Sequence, residues 1–132
     1  KASLTLRKSR RLQPELVLRV ADWKKEIIAM PAADAEQKPD KVPEQPGVYI
    51  FRDETGYLYI GESSNLYDRV KKHLDRSDRQ SLANYLETNG VKGVTLELHA
   101  FAADSPARLK PMRRAYESEL IRSHKPRFNL AP

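Results

Sequence analysis

The segment GVYIFRDETGYLYIG, residues 47–61, decides the fold, because it contains two β-rich runs separated by a short turn. A three-residue loop built on a type I turn ends in a left-handed residue, and Gly56 adopts that conformation at little steric cost. With this loop, Phe51 faces Tyr59 and Tyr49 faces Gly61. The register therefore separates an aromatic face from an aliphatic one: the first carries Tyr49, Phe51 and Tyr59, the second Val48, Ile50, Leu58 and Ile60.

The sequence after the hairpin predicts three helices and a third strand. Residues 63–75 have helical spacing with Ser64 as the candidate cap, and residues 81–89 predict a short helix that ends at Gly90. Residues 94–102 alternate at period two, which is typical of a strand. Residues 105–123 predict a last helix that breaks or begins anew at Pro111, because proline fits only the first helical turn. These patterns indicate an α+β fold.

The first 45 residues differ from the rest in composition. A helical stripe, beginning near Pro14, is formed by Leu16, Val20, Trp23, Ile27 and Met30, and it is preceded by a basic cluster at residues 7–11. Four prolines within residues 31–46 predict a linker rather than an element. We therefore divide the chain into a basic helical arm with a Pro-rich linker, 1–45, and a domain, 46–132. The arm either packs on the domain or contacts phosphates.

Composition narrows the possible functions. The chain has 132 residues and a formal net charge of +6, so anionic partners are expected, nucleic acid first and an acidic membrane surface second. No stretch approaches the ~20 apolar residues of a spanning helix, and no signal-peptide pattern is visible. The absence of cysteine excludes disulfides, zinc–thiolate sites, iron–sulfur clusters and thiol catalysis. We expect a soluble, cytoplasmic domain without a membrane role.

Four segments in order, between residues 46 and 129, resemble the GIY-YIG nuclease superfamily. They are PGVYIF at 46–51, YIG at 59–61, NLYDRVKKH at 65–73 and ESELIRSHKPRFN at 117–129. The nearest resemblance is to the small bacterial type, similar to the domain that makes the first incision in nucleotide excision repair. It implies an α+β fold with a small three-stranded, mainly antiparallel sheet flanked by helices, to which this chain would add its N-terminal helix.

The resemblance also implies metal-dependent hydrolysis of phosphodiester bonds in DNA. Carried over by position, the site consists of Glu117 as the single acidic metal ligand, Arg69 on the reacting phosphate, the motif residues Tyr49 and Tyr59, Asn129 after the last helix, and His73, which only some members have. A lone carboxylate suits Mg²⁺ or Mn²⁺, since such ions keep waters and bind substrate phosphate. We favour Tyr49 as the base or water-orienting group and Tyr59 as its hydrogen-bonded partner, although the roles can be exchanged.

Further basic residues are candidates for contacts with the DNA backbone. They are Lys71 and Lys72 beside Arg69, and Arg113, Arg122, Lys125 and Arg127 on the last helix and tail. Such groups bind phosphates rather than sequence. Nothing in the chain predicts a base-reading helix, a zinc finger or a selective contact with a 2′-hydroxyl, so an RNA-cleaving relative stays an alternative.

Two local features argue for more ordinary roles. Arg113 lies four residues before Glu117, a spacing that predicts a simple surface salt bridge on a helix. Glu62 stands three residues after Tyr59, where many GIY-YIG proteins have lysine. This departure puts transition-state charge stabilisation or substrate choice in question. It keeps open a catalytically weak or inactive nucleic-acid-binding module that retains the fold.

Overall fold

The computed structural model describes residues 23–76 and 81–129 of the chain. The predicted helix start at Pro14 and the basic cluster at residues 7–11 lie outside the described residues. The strands are β1 (Lys25–Pro31), β2 (Gly47–Asp53), β3 (Gly56–Ser63) and β4 (Thr95–Phe101). The helices are α1 (Ala32–Gln37), α2 (Leu66–Leu74), α3 (Ser81–Asn89) and α4 (Lys110–His124), with short 3-10 helices at Pro39–Lys41 and Pro106–Arg108.

The strands form one antiparallel sheet in the order β1-β4-β2-β3. The α+β class is therefore confirmed, but the described residues contain four strands rather than three. The additional strand, β1, replaces the end of the expected N-terminal helix. The predicted helical stripe included both Ile27 and Met30. In the structure Ile28 and Met30, two residues apart as on one face of a strand, pack on the core, while Ile27 is 58% exposed.

The expected linker is also wrong for residues 32–41, which form α1 and a 3-10 helix. Pro31 caps α1, and Pro39 begins the 3-10 helix, positions where the missing N–H of proline costs no helical hydrogen bond. Ala32, Ala35 and Val42 are buried in the core. Prolines here mark the starts of elements, and the division of the chain at residues 45/46 stays a prediction.

The β2–β3 hairpin has the predicted register away from its turn. Phe51 faces Tyr59 and Tyr49 faces Gly61, but the register shifts after Phe51, so that Arg52 faces Tyr57. The reason is a tighter turn than predicted. The Asp53 carboxylate accepts hydrogen bonds from the backbone N–H and the hydroxyl of Thr55. The next residue, Gly56, begins β3 with a φ of +123°. The extra residue is Leu58.

The shift changes which residues share a face of the sheet. Leu58 packs with Tyr49 and Phe51 under α1, α2 and α3. The sequence pattern predicts Leu58 on the opposite, aliphatic face. The opposite face carries Val48, Ile50 and Ile60 against α4. A bulge in one strand reverses the alternation of side chains beyond it, which accounts for the exchange.

The helices largely follow the sequence pattern. Helix α2 is capped by Asn65, whose side chain accepts from the backbone of Asp68, rather than by Ser64. Helix α3 ends before Gly90 as predicted, and α4 is a new start with Pro111 in its first turn. Within residues 23–76 and 81–129, no helix has the length and apolar character needed to cross a bilayer.

Candidate active site

Tyr49 is at the centre of the candidate site. Its ring is 1% exposed, and its hydroxyl lies 2.9 Å from Nε2 of His73 in a hydrogen bond. We expected Tyr59 as its hydrogen-bonded partner; the Tyr59 ring instead lies tilted against the Tyr49 ring, with centroids 6.1 Å apart. Burial, and secondarily Tyr59, raises the pKa of the Tyr49 phenol far above its ordinary value. The phenol therefore keeps its proton at neutral pH until another group accepts it.

Helix α2 brings a cation and an imidazole to this phenol. Arg69 and His73 lie one turn apart on the helix face directed at the sheet, and His73 is fully buried. Arg69 hydrogen-bonds Tyr49, and both this bond and its charge lower the pKa of Tyr49 against the effect of burial. The imidazole ring lies 5.4 Å from the ring of Tyr59. Arg69 and His73, four residues apart on α2, thus both hydrogen-bond the hydroxyl of Tyr49.

Gly61 makes room for the phenol. A Cβ atom at this position would lie 2.3 Å from the hydroxyl oxygen of Tyr49 and 2.4 Å from its Cζ. Any side chain here would displace the tyrosine ring, which has no space to move in the core. The glycine of YIG is required by the tyrosine that faces it across the hairpin; the sequence predicts the pairing, and the structure adds how closely the two residues approach.

Glu117 lies beside the end of β3. Burial, and then the negative charge of Glu62, raises the pKa of its carboxyl, while Arg114 and a hydrogen bond from the backbone N–H of Glu62 lower it. The charge of Glu117 also raises the pKa of Tyr49. The charge of Glu117 therefore acts on the Tyr49 phenol.

The C-terminal tail follows the outer edge of β3. Asn129 accepts from the backbone N–H of Ile60 at 2.8 Å and donates to its carbonyl at 2.7 Å. The backbone N–H of Phe128 donates to the carbonyl of Leu58 at 2.9 Å. Asn129 is thus bound to the sheet, and its contacts seal an edge strand. The structure places it as a residue that positions the tail.

A family comparison decides which protein class this arrangement belongs to. The family model described as "UvrC-like GIY-YIG domain" matches residues 45–130. The chain belongs to this family. The resemblance inferred from the four motif segments is confirmed.

Individual relatives agree with the UvrC-like assignment. The UvrABC system protein C of Anaeromyxobacter dehalogenans is 34% identical over 101 residues, which are 74% of this chain and 13% of that protein. The UvrABC system protein C of a Hydrogenobaculum species is 35% identical over 92 residues, 69% of this chain and 14% of that protein. The chain therefore matches only about one-seventh of the length of these relatives.

A solved structure shares the fold of this UvrC-like domain. The GIY-YIG N-terminal endonuclease domain of UvrC from Thermotoga maritima, bound to magnesium as its catalytic divalent cation, superposes with a TM-score of 0.55. The two are 23% identical, and the match covers 74% of this chain and 97% of that one. At this identity the likeness shows the fold.

Arg113 is not placed to contact DNA, contrary to the sequence-based expectation. Its side chain is 4% exposed, with Nε 2.9 Å from Oε1 of Glu62. Its Nη1 donates to the carbonyls of Ala107 at 3.1 Å and Arg108 at 2.8 Å. The expected surface salt bridge with Glu117 is likewise replaced, because Arg113 turns towards the end of β3 instead.

The other predicted DNA contacts differ in their surroundings. Lys71 and Lys72 are exposed in the last turn of α2, and Lys125 is exposed in a left-handed conformation after α4. Arg122 pairs with Glu119 on the surface. Arg127 lies 5.0 Å from the Tyr85 ring centroid, a cation–π contact. These residues present positive charge to solvent, as a phosphate-binding surface requires.

The residues of this UvrC-like domain fit a cation held through one carboxylate. Among the described residues no three His, Cys, Asp or Glu side chains converge on a common point. Glu117 is a half-buried acid whose charged form is disfavoured by burial and by the nearby negative charge of Glu62, and a bound divalent cation would relieve both effects. A hard ion that retains water and takes substrate oxygens matches this donor set.

Proposed function

We propose that this chain is a divalent-metal-dependent endonuclease domain that hydrolyses phosphodiester bonds in DNA. The observation that carries the proposal is the set of groups around one phenol. Tyr49 hydrogen-bonds Arg69 and His73 and lies within electrostatic reach of Glu117. An arginine, an acid and a proton-transferring pair are the components that phosphodiester hydrolysis requires.

In the proposed mechanism Arg69 binds the phosphate under attack. Its guanidinium is charged at all relevant pH values and offers a fork of donors to phosphate oxygens. It is half-buried and already close to Tyr49, so phosphate bound there lies next to the phenol. Arg69 then stabilises negative charge that develops on the phosphoryl oxygens.

Tyr49 and His73 move the proton of the attacking water. A phenol whose pKa is raised by burial does not ionise by itself, but it can accept a proton from water while giving its own to Nε2 of His73. The proton thus passes from water to the Tyr49 oxygen, and from Tyr49 to the imidazole. Tyr59 borders the same ring and is the alternative water-orienting group.

We assign Glu117 as the ligand of Mg²⁺ or Mn²⁺. The magnesium-bound Thermotoga maritima domain supports the choice of ion. When bound, the ion supplies Lewis-acid stabilisation of the leaving oxygen. The backbone N–H of Glu62 donates a hydrogen bond to the Glu117 carboxylate, which fixes the carboxylate relative to the strand that carries Tyr59.

DNA is the proposed substrate for two reasons. The relatives that match the chain are named as UvrABC system proteins, and the chain carries a formal net charge of +6. The solvent-facing cations proposed to bind the backbone are Lys71, Lys72, Arg122, Lys125 and Arg127. Such contacts act on any sequence, so we expect cleavage governed by DNA structure.

A metal-dependent nicking assay tests the proposal. The parent protein is expected to nick plasmid DNA with Mg²⁺ or Mn²⁺. The Glu117→Gln variant is expected to lose cleavage while its thermal unfolding midpoint stays that of the parent. Glu119→Gln is the matched control, because Glu119 lies on the same helix and its ion pair among residues 23–76 and 81–129 is with the surface residue Arg122. Equal nicking rates for the parent and Glu117→Gln would refute the assignment of the metal ligand.

A non-catalytic nucleic-acid-binding module is the second candidate. It is favoured by Glu62, because the resemblance to GIY-YIG nucleases implies lysine at this position and glutamate supplies no positive charge to stabilise the transition state. Gel-shift and cleavage assays on the same DNA and RNA substrates separate the possibilities. Binding without metal-dependent products supports the module, whereas products from RNA but not DNA support an RNA-cleaving enzyme.

A further inference from the structure

Two acidic side chains are candidate ion-pair partners of Arg113, namely Glu117 and Glu62. On α4 it lies one turn before Glu117, the spacing at which arginine and glutamate pair along a helix. Its Nε instead lies 2.9 Å from Oε1 of Glu62, on the neighbouring strand β3. The cation that lowers the pKa of Glu117 is Arg114.

The burial of Arg113 makes the identity of its ion-pair partner important. The side chain is 4% exposed, so its charge requires a nearby partner. Two backbone carbonyls, those of Ala107 and Arg108, hold Nη1 on the side of the 3-10 helix and leave Nε directed at Glu62. Without the Glu62 carboxylate, the other acid within helical reach of the guanidinium is Glu117.

We propose that Glu62 holds Arg113 away from Glu117 and thereby keeps the Glu117 carboxylate available to a divalent cation. Glu62 and Arg113 are then positioning residues that act through Glu117 and need not touch substrate. The inference rests on the proposed metal site. A lysine at position 62 would put a second cation against a buried arginine.

A metal titration on three proteins tests the inference. Mn²⁺ affinity is measured by isothermal titration calorimetry for the parent, for Glu62→Ala and for the double variant Glu62→Ala/Arg113→Met. Glu62→Ala frees Arg113 to pair with Glu117, so affinity is expected to fall roughly tenfold or more, since a charged hydrogen bond must be displaced. The double variant removes the competing cation and is expected to restore affinity to within about threefold of the parent.

The matched control removes a second glutamate from the same kind of contact. Oε1 of Glu97 lies 3.2 Å from Nε of Arg52, near the hairpin turn rather than beside Glu117. Glu97→Ala is therefore expected to leave Mn²⁺ affinity unchanged. Circular dichroism and thermal unfolding confirm that each variant is folded. If Glu62→Ala does not fold, Glu62→Gln replaces it, with a smaller loss that Arg113→Met again reverses.

The outcomes separate this inference from the proposed function. A parent that binds no Mn²⁺, or binds it as well after Glu117→Gln, contradicts the metal site itself. A parent that binds through Glu117, with Glu62→Ala binding equally well, overturns only the role of Glu62. The role is also overturned if the double variant stays as weak as the single one, since Glu62 would then act on the metal by another route.

Discussion

Two tyrosine–histidine pairs lie on opposite faces of the same sheet. On one face the hydroxyl of Tyr49 is 2.9 Å from Nε2 of His73; on the other the hydroxyl of Tyr116 is 2.6 Å from Nδ1 of His99. Both tyrosines are buried, and burial raises the pKa of both phenols, that of Tyr116 to about 12. The two pairs are thus alike in residue type, hydrogen bonding and burial.

Their neighbours distinguish them. Nε2 of His99 lies 2.7 Å from the carboxylate of Glu97, which in turn accepts from Arg52 at 3.2 Å, so this network is closed within the fold. Tyr49 is instead hydrogen-bonded by Arg69 and is affected by the charge of Glu117, the residues that we propose to bind phosphate and metal. A tyrosine–histidine pair therefore becomes a candidate for catalysis through what surrounds it, since an internally satisfied network serves structure.

Removing each phenol is expected to give the largest contrast. Tyr49→Phe removes the hydroxyl that accepts the proton of water, so the nicking rate is expected to fall by about 10²–10⁴. Tyr116→Phe leaves the rate nearly unchanged and lowers the free energy of unfolding by about 1–3 kcal/mol, because a buried ring nitrogen loses its partner. Plasmid nicking and urea denaturation measure the two effects. An equal drop in rate for both variants would contradict the distinction.

Crowding the first pair is expected to give the next effect. Gly61→Ala puts a methyl group 2.3 Å from the Tyr49 hydroxyl, so we expect about 1–3 kcal/mol of destabilisation and displacement of the phenol from His73. Urea denaturation and nicking measure both. In a Tyr49→Leu background the added methyl has room, and the stability cost of Gly61→Ala should disappear there. A cost that persists in that background would mean the glycine is needed for another reason.

The second pair is expected to make stability depend on pH. Burial lowers the pKa of His99, against the effect of Glu97, and Lys25 and His124 lower it further. The unfolded chain therefore binds a proton at higher pH than the folded one, and the free energy of unfolding decreases as pH falls below about 6.5. For Glu97, burial would raise the pKa, but the bonds from His99 and Arg52 lower it, so the decrease continues in more acidic solution.

His99→Gln isolates this contribution. At pH 7 the variant is expected to be destabilised by about 1–3 kcal/mol, since Tyr116 and Glu97 lose a well-placed partner. The difference between parent and variant should shrink as pH falls from 7 to 5.5, measured by urea denaturation. A difference that stays constant over this range would show that His99 titrates alike in the folded and unfolded chain.

The hairpin shows how far the sequence could predict the site. Segregation of aromatic from aliphatic side chains was enough to place Tyr49 opposite Gly61, because one register alone achieves it. The bulge at Leu58 was not predictable from alternation, since it arises from hydrogen bonds of Asp53 to Thr55 within the turn. Local periodicity thus located the motif strands but not the irregularity between them.

Contacts between distant segments of the chain could not be predicted from the sequence patterns. Arg113 was expected to pair with Glu117, the nearest acid on its own helix, but packing of α4 on the sheet brought Glu62 closer. His73 was recognised by its position in the motif, yet its bond to Tyr49 joins residues 24 apart. Strand β1 was missed because the spacing of Ile27 and Met30 also fits a helix, and pairing with β4 decides between the two.

The smallest effect concerns DNA affinity and tests which face of the sheet DNA approaches. Lys71 and Lys72 are exposed on α2 next to His73, whereas Lys25 lies 5.5 Å from the ring of Tyr116 on the other face. Removing one lysine that binds a phosphate should weaken binding modestly and reduce the slope of log affinity against log salt by about 1. Fluorescence anisotropy without divalent metal is expected to detect this for Lys71→Ala and Lys72→Ala but not for Lys25→Ala. The reverse order would contradict the assignment of Lys71 and Lys72 to the DNA-binding surface.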